Sequence, residues 1–138
     1  MADTGRIQKT YDMYVDLETT CEAITKGLIV TPEYGAADGH IKIVDTSLDN
    51  SPPYGVALET STADGDTILV AWRGVVEATH DVAADDAIQK NQALAVSSTT
   101  TGKFIAWTTT DAEYVYIGHA LEGLTSTTAE GKIMLAGW

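Results

Sequence analysis

The chain has 138 residues, a length that suits one domain closing one core. Twenty acidic residues stand against eight basic ones, a formal net charge of −12. That balance argues against nucleic acid as a partner, because binding it requires a basic patch that releases counterions. Hydrophobic residues make up 44%, so a packed core is within reach. No run approaches the roughly 18 apolar residues of a membrane-spanning helix, and no membrane partner is expected.

Residues 1–12 begin the chain as an arm whose first ten residues are locally basic, with Arg6 and Lys9 facing the single acid Asp3. The arm has too few apolar residues to join a core, so a neighbouring subunit or a larger assembly is expected to hold it. Met1-Ala2-Asp3-Thr4-Gly5-Arg6 contains no apolar signal-peptide core, and the chain is expected to be made and assembled inside a cell. Next, Met13, Val15 and Leu17 alternate with Tyr14, Asp16 and Glu18, the period of two of a half-buried strand. A short helical turn is expected over 20–26, and its counterpart over 83–91. Ile41 and Ile43 alternate with His40, Lys42 and Val44 as a second strand, and Asn50-Ser51-Pro52-Pro53 is a breaker. Residues 68–72 are continuously apolar, as in a strand covered on both faces. Gly74-Val75-Val76-Glu77 reads as a further strand, and Tyr114-Val115-Tyr116-Ile117 is rich in β-formers. Turns are expected at 63–66 and 129–132, where Gly65 and Gly131 supply positive φ.

Four blocks recur in the same order. Ala23-Ile24-Thr25-Lys26-Gly27 returns as Ala87-Ile88-Gln89-Lys90-Asn91, and Gly39-His40-Ile41-Lys42-Ile43-Val44 as Gly102-Lys103-Phe104-Ile105-Ala106-Trp107. Gly55-Val56-Ala57-Leu58-Glu59 returns as Gly118-His119-Ala120-Leu121-Glu122, and the stretch from Gly65 to Trp72 as that from Gly131 to Trp138. A unit of about 50 residues cannot bury its apolar face alone, whereas two copies can close one core. The expected fold is therefore all-β, a compact β-barrel or sandwich of two pseudo-twofold-related motifs with an extended N-terminal arm. Its divisions are 1–22 for the arm and first strand, 23–72 for the first repeat, 73–86 for a connecting segment and 87–138 for the second repeat.

Chemistry is hard to find in this chain. Cys21 is the sole cysteine, so neither an internal disulfide nor a cysteine metal site can form. There is no glycine-rich phosphate loop and no nucleophile elbow. His40, His80 and His119 stand far from ligand spacing and read as surface polarity. Glu59 and Glu122 occupy matching positions after Ala-Leu and could form a carboxylate pair of glycosidase type. They read better as solvated edge residues, or as acceptors for a neighbouring turn. The acids at Asp64, Asp66, Asp81, Asp85 and Asp86 fit no calcium-loop pattern. No catalytic, cofactor or metal residue is assigned. Trp72 and Trp138 align as core plugs, although a terminal Trp also suits a subunit contact.

The stretch from Pro53 through Gly55-Val56-Ala57-Leu58-Glu59, Gly65-Asp66 and Ile68-Leu69-Val70-Ala71-Trp72 to Arg73-Gly74-Val75 resembles capsid cement, or head-decoration, proteins of tailed bacterial and archaeal viruses. The likeness runs from about Gly27 to Trp138 and departs at Asn91, where a turn glycine like Gly27 is usual. The resemblance implies a β-barrel or β-tulip-like subunit, often a trimer, on the outside of the virion after synthesis in the host cytoplasm. It implies the major capsid protein as partner, no enzyme activity and no cofactor. Arg6, Lys9, Tyr11 and Trp138 are the expected capsid or subunit contacts. The second reading is a ligand- or carbohydrate-binding β-module displayed on the particle, which aromatic residues lining a groove would favour.

Overall fold

A computed structural model describes residues 13–33, 39–46, 53–82, 87–108, 116–126 and 129–136. They form nine strands: β1 (Tyr14–Thr19), β2 (Ile29–Pro32), β3 (Ile41–Ile43), β4 (Gly55–Ala57), β5 (Thr67–Thr79), β6 (Ala93–Val96), β7 (Phe104–Ala106), β8 (Tyr116–Ala120) and β9 (Glu130–Leu135). All pairings between strands are antiparallel, in the order β3-β2-β4-β5-β9-β8-β6-β7, with β1 on β5. The fold is all-β, and the sheet curls into a half-barrel. No helix occurs among the described residues, so 20–26 is not the helical turn that was expected. Thr20 is instead tied by its N–H to the Asp66 carbonyl at 2.8 Å, and Cys21 by its N–H to that of Ile41 at 3.0 Å. These long-range bonds outcompete the local ones a helix would need. Of the counterpart over 83–91, residues 83–86 lie outside the described set, and 87–91 are not helical.

The strand order reads the same from both ends, because two halves carry matching pairings. Ala57 opposite Val70 is matched by Ala120 opposite Ile133. Val30 opposite Ile43 is matched by Leu94 opposite Ala106. Thr19 opposite Thr67 is matched by Thr79 opposite Glu130. Isolated parallel bridges join Thr20 to Ile41 and His80 to Phe104, turning each half inward on itself. β5 serves both halves: residues 67–73 carry β1 and β4, and residues 74–79 lie on β9. Gly74, at φ 107°, sits at that change of partner inside an unbroken strand.

These pairings revise the last block of the repeat. Val70 matches Ile133, so the partner of Trp72 in register is Leu135, and Gly131 takes the place of Ile68. Gly131 consequently lies within β9 and not in a turn; a side chain there would run into Leu124, which packs on its bare Cα. The departure at Asn91 leaves the turn intact. Asn91 takes φ 70° where Gly27 takes 93°, and Asn is the residue after Gly that best tolerates that region. The Gly27 N–H donates to the Ala57 carbonyl at 2.8 Å, and the Asn91 N–H to the Ala120 carbonyl at the same length.

Two apolar clusters share the strands of the first half. Ile24, Val30, Ile41, Ala57, Ile68 and Val70 form the smaller one. Ile29, Val56 and Ala71 point the other way, into the larger cluster with Leu94, Phe104, Ile117, Ile133 and Leu135. Adjacent residues of β2, β4 and β5 thus enter different clusters, as period-two strands buried on both faces require. A hairpin tip locks the halves together. The Ile29 N–H donates to the Gly102 carbonyl, and the Gly102 N–H to that of Val44, each at 2.8 Å. At φ 76° and against Ile43 Cγ2 and Leu28, Gly102 leaves no room for a side chain.

Candidate functional site: the open mouth of the first half

At one end of the first half converge the start of β1, the end of β2, the starts of β3 and β4, and the middle of β5. Tyr14, Glu18, Pro32, Gly39, Ile41, Pro53, Trp72 and Arg73 line a groove there of about 440 Å³. In register, Glu18, Trp72 and Ile41 correspond to Ala78, Leu135 and Phe104, all of them buried in the larger cluster. Among the described residues, the second half therefore fills its mouth with aliphatic and aromatic side chains, while the first half leaves a groove. Trp72 is half-buried and not a sealed core plug. Its indole N–H donates to Glu18 Oε1 at 3.1 Å. Gly55 makes room for the ring, since a Cβ there would stand 2.9 Å from Trp72 Cε3. Partial burial raises the Glu18 carboxyl above its ordinary value; the indole hydrogen bond opposes that shift, and Asp16 adds to it.

The sequence candidates fall out as follows. Arg6, Lys9, Tyr11 and Trp138 lie outside the described residues. Glu59 and Glu122 are exposed, and each serves its own half: Glu59 Oε2 accepts from the Leu69 N–H at 3.3 Å, and Glu122 Oε1 from the Lys132 N–H at 2.9 Å. These are matched strand locks, one per repeat, engaged with backbone amides and not with each other. His80 is buried, only 5% exposed, which corrects its reading as surface polarity. Its Nδ1 accepts from the Val82 N–H at 3.3 Å, and its ring meets Phe104 edge-on with centroids 5.9 Å apart. Among the described residues no three His, Cys, Asp or Glu side chains cluster as metal ligands. The Cys21 thiol donates to the Ile41 carbonyl at 3.1 Å. Burial, with Glu33 and then Glu22 adding, pushes its pKa up to about 12, so the nucleophilic thiolate is scarce at neutral pH.

Sequence reasoning missed the mouth because it aligned Trp72 with Trp138. The signal that would have found it was available in the alternative register, which sets Trp72 against an aliphatic residue and Glu18 against Ala78. Both positions hold a partly exposed polar or amphipathic side chain in the first half where the second half buries an aliphatic one.

The family description for phage cement proteins matches residues 14–135, from the start of β1 to the end of β9. The chain belongs to the phage cement protein family. No curated protein matches it. Membership carries a structural, capsid-stabilising role and association with the capsid. The two matched glutamates Glu59 and Glu122 are each engaged with a strand amide. The cement protein has a framework of matched strand locks and packed glycines, which suits a rigid body more than a reactive one.

Proposed function

We propose that this cement protein sits on the outside of an icosahedral capsid lattice, binds the major capsid protein there as a homo-oligomer, by preference a trimer, and stabilises the shell without catalysing a reaction. The family match along the whole sheet carries this reading. A small double-sided β-body suits it physically, because repetition over a lattice builds avidity from individually modest contacts. Arg6, Lys9, Tyr11 and Trp138 act as contacts to the shell or to neighbouring subunits, with the basic arm engaging the shell while the acidic body away from the contact stays solvated. One globular domain holds the blocks 23–72 and 87–138. The matched pairings of β1 and of residues 74–79 support extending each block by the strand before it, so the connecting segment 73–86 opens with a strand of the second repeat.

Mixing purified protein with undecorated capsids and imaging the particles tests this. Expected is density at fixed symmetry positions, with occupancy lowered when residues 1–9 are deleted. Bare lattices at saturating protein would defeat the cement reading, and equal occupancy after the deletion would defeat the role of the arm.

A second reading, a ligand- or carbohydrate-binding module displayed on the particle, draws on the groove itself. Tyr14 and Trp72 offer aromatic surface beside the Glu18 carboxylate and the Arg73 guanidinium, and the volume lies within the roughly 300–1,000 Å³ of small-molecule sites. Titrating simple sugars while following tryptophan emission checks it. A saturable change that Tyr14→Ala weakens is the expected result for a binding module, and a flat response at millimolar sugar eliminates it.

A further inference from the structure

Among the described residues, the large apolar side chains that stay exposed gather on β1 and the residue before it. Met13 is 47% exposed, Val15 36% and Leu17 62%, all on the row that points away from the mouth. The sequence pattern suggests that this row faces the core, and the structure turns it outward. In register, Val15 lies opposite Ala71 and Leu17 opposite Leu69, so the row extends the face whose β4 and β2 portions are covered by the second half. β1 projects beyond that cover.

The other half keeps the middle of this row apolar, with Val75 opposite Met134, and shows that the fold does not require leucine at its end. Glu77 opposite Lys132 is the pair matched to Leu17 opposite Leu69, and both of its members are exposed. The same backbone position is satisfied by opposite charges in one repeat and by two leucines in the other. Exposing leucine to water has no benefit for the isolated molecule, and contiguous apolar surface of this kind marks a contact.

We infer that the outer face of β1, Met13, Val15 and Leu17, is the surface this protein presses onto the capsid shell, and that the shell meets it with an apolar patch flanked by basic side chains. This rests on the cement reading above. Charge selects the occupant. Asp16, whose carboxylate turns to the β1 edge to accept from the Leu17 N–H, borders the row, and the molecule as a whole carries −12, so a second copy brings like charge to the contact whereas a basic rim is complementary. Addition of a strand to the edge is disfavoured as well, because the Leu17 N–H already donates to Asp16 Oδ1 at 2.9 Å. The contact is made by the face of β1 and not by its edge.

The test compares full-length wild type with Leu17→Asp, the milder Leu17→Gln, and Glu77→Gln at the matched position, on undecorated capsids. Urea midpoints verify folding first, and Leu17→Gln stands in should Leu17→Asp fail to fold. The expected result is an affinity about tenfold or more weaker for either Leu17 variant, the size of a modest interface hot spot, and no change for Glu77→Gln. Wild-type protein that never decorates capsids defeats the cement reading. Wild type and Leu17 variants that decorate equally leave that reading standing and overturn this surface. Sedimentation of the unbound protein settles the remaining case: Leu17 variants of unchanged size support a shell contact, and a smaller species would show that the row holds copies together and overturn the inference.

Discussion

Gly118→Ala is expected to be strongly destabilising, by more than about 4 kcal/mol. Gly118 lies in β8 at φ 149°, opposite Leu135, and a methyl group on its Cα would collide with the Met134 carbonyl oxygen. That oxygen belongs to the backbone of β9, where the Gly118 and Ala120 pairings hold the two strands together, so it cannot swing aside as a side chain would. Gly65→Ala is the informative comparison. Gly65 also has positive φ, 88°, but a Cβ there meets nothing within 4 Å. It should lose only the backbone term, about 1 kcal/mol. Gly118→Ala adds a steric clash with fixed backbone and should exceed about 4 kcal/mol, a large part of the stability of a domain this size. Chemical denaturation of both variants measures the contrast. A Gly118→Ala protein with a near-native midpoint would mean that β8 and β9 can separate at little cost.

Asp81→Asn should destabilise the protein by about 2 kcal/mol at neutral pH, with the loss fading in acid. Asp81 Oδ2 accepts from the hydroxyls of Thr100 at 2.7 Å, Thr99 at 2.9 Å and Ser97 at 3.1 Å. Ser97 is buried, and its Oγ in turn accepts from the N–H groups of Thr99 and Thr100. This one carboxylate thereby shapes the loop that delivers Gly102 to the first half. Charge-assisted bonds of this kind are worth about 1.5–3 kcal/mol, and part of that is lost to screening because the group is not fully enclosed. The Thr100 hydroxyl foremost, then those of Thr99 and Ser97, holds the Asp81 pKa below its ordinary 3.8 against the opposing effect of burial. A carboxylate depressed on folding stabilises the native state fully above its unfolded pKa, and that contribution disappears as pH falls through the lower folded value. Wild type minus Asp81→Asn should therefore be constant from neutral pH to about 5 and shrink below about 4. Unfolding free energies across that range check this, and a difference independent of pH would remove charge from the account.

Much of the fold was legible because it rests on local pattern. The alternation at 41–44, the apolar run at 68–72 and the recurring Gly-x-Ala-Leu-Glu phrase became β3, β5 and the matched β4 and β8. Glu59 and Glu122, read as edge residues or as acceptors for a neighbouring turn, accept from strand amides and not from a turn. Other expectations failed for reasons outside local pattern. Alternation at 13–18 announces a strand but carries no sign of which row meets a core, since the period of two is the same either way. The glycine of 129–132 resembled a turn signal, yet Gly131 is needed for close packing under Leu124. His80 appeared polar and isolated until the parallel bridge to Phe104 drew it inside.

By itself, then, the chain's sequence determined strands, a duplication, an acidic exterior and a family, because each is written in spacing and composition that any local reading recovers. Only the tertiary structure decided the true register of the repeat, the filled mouth in one half against the open one in the other, and the outward row on β1. Those depend on which strand lies beside which, and burial is a property of that arrangement and not of the residues taken in order.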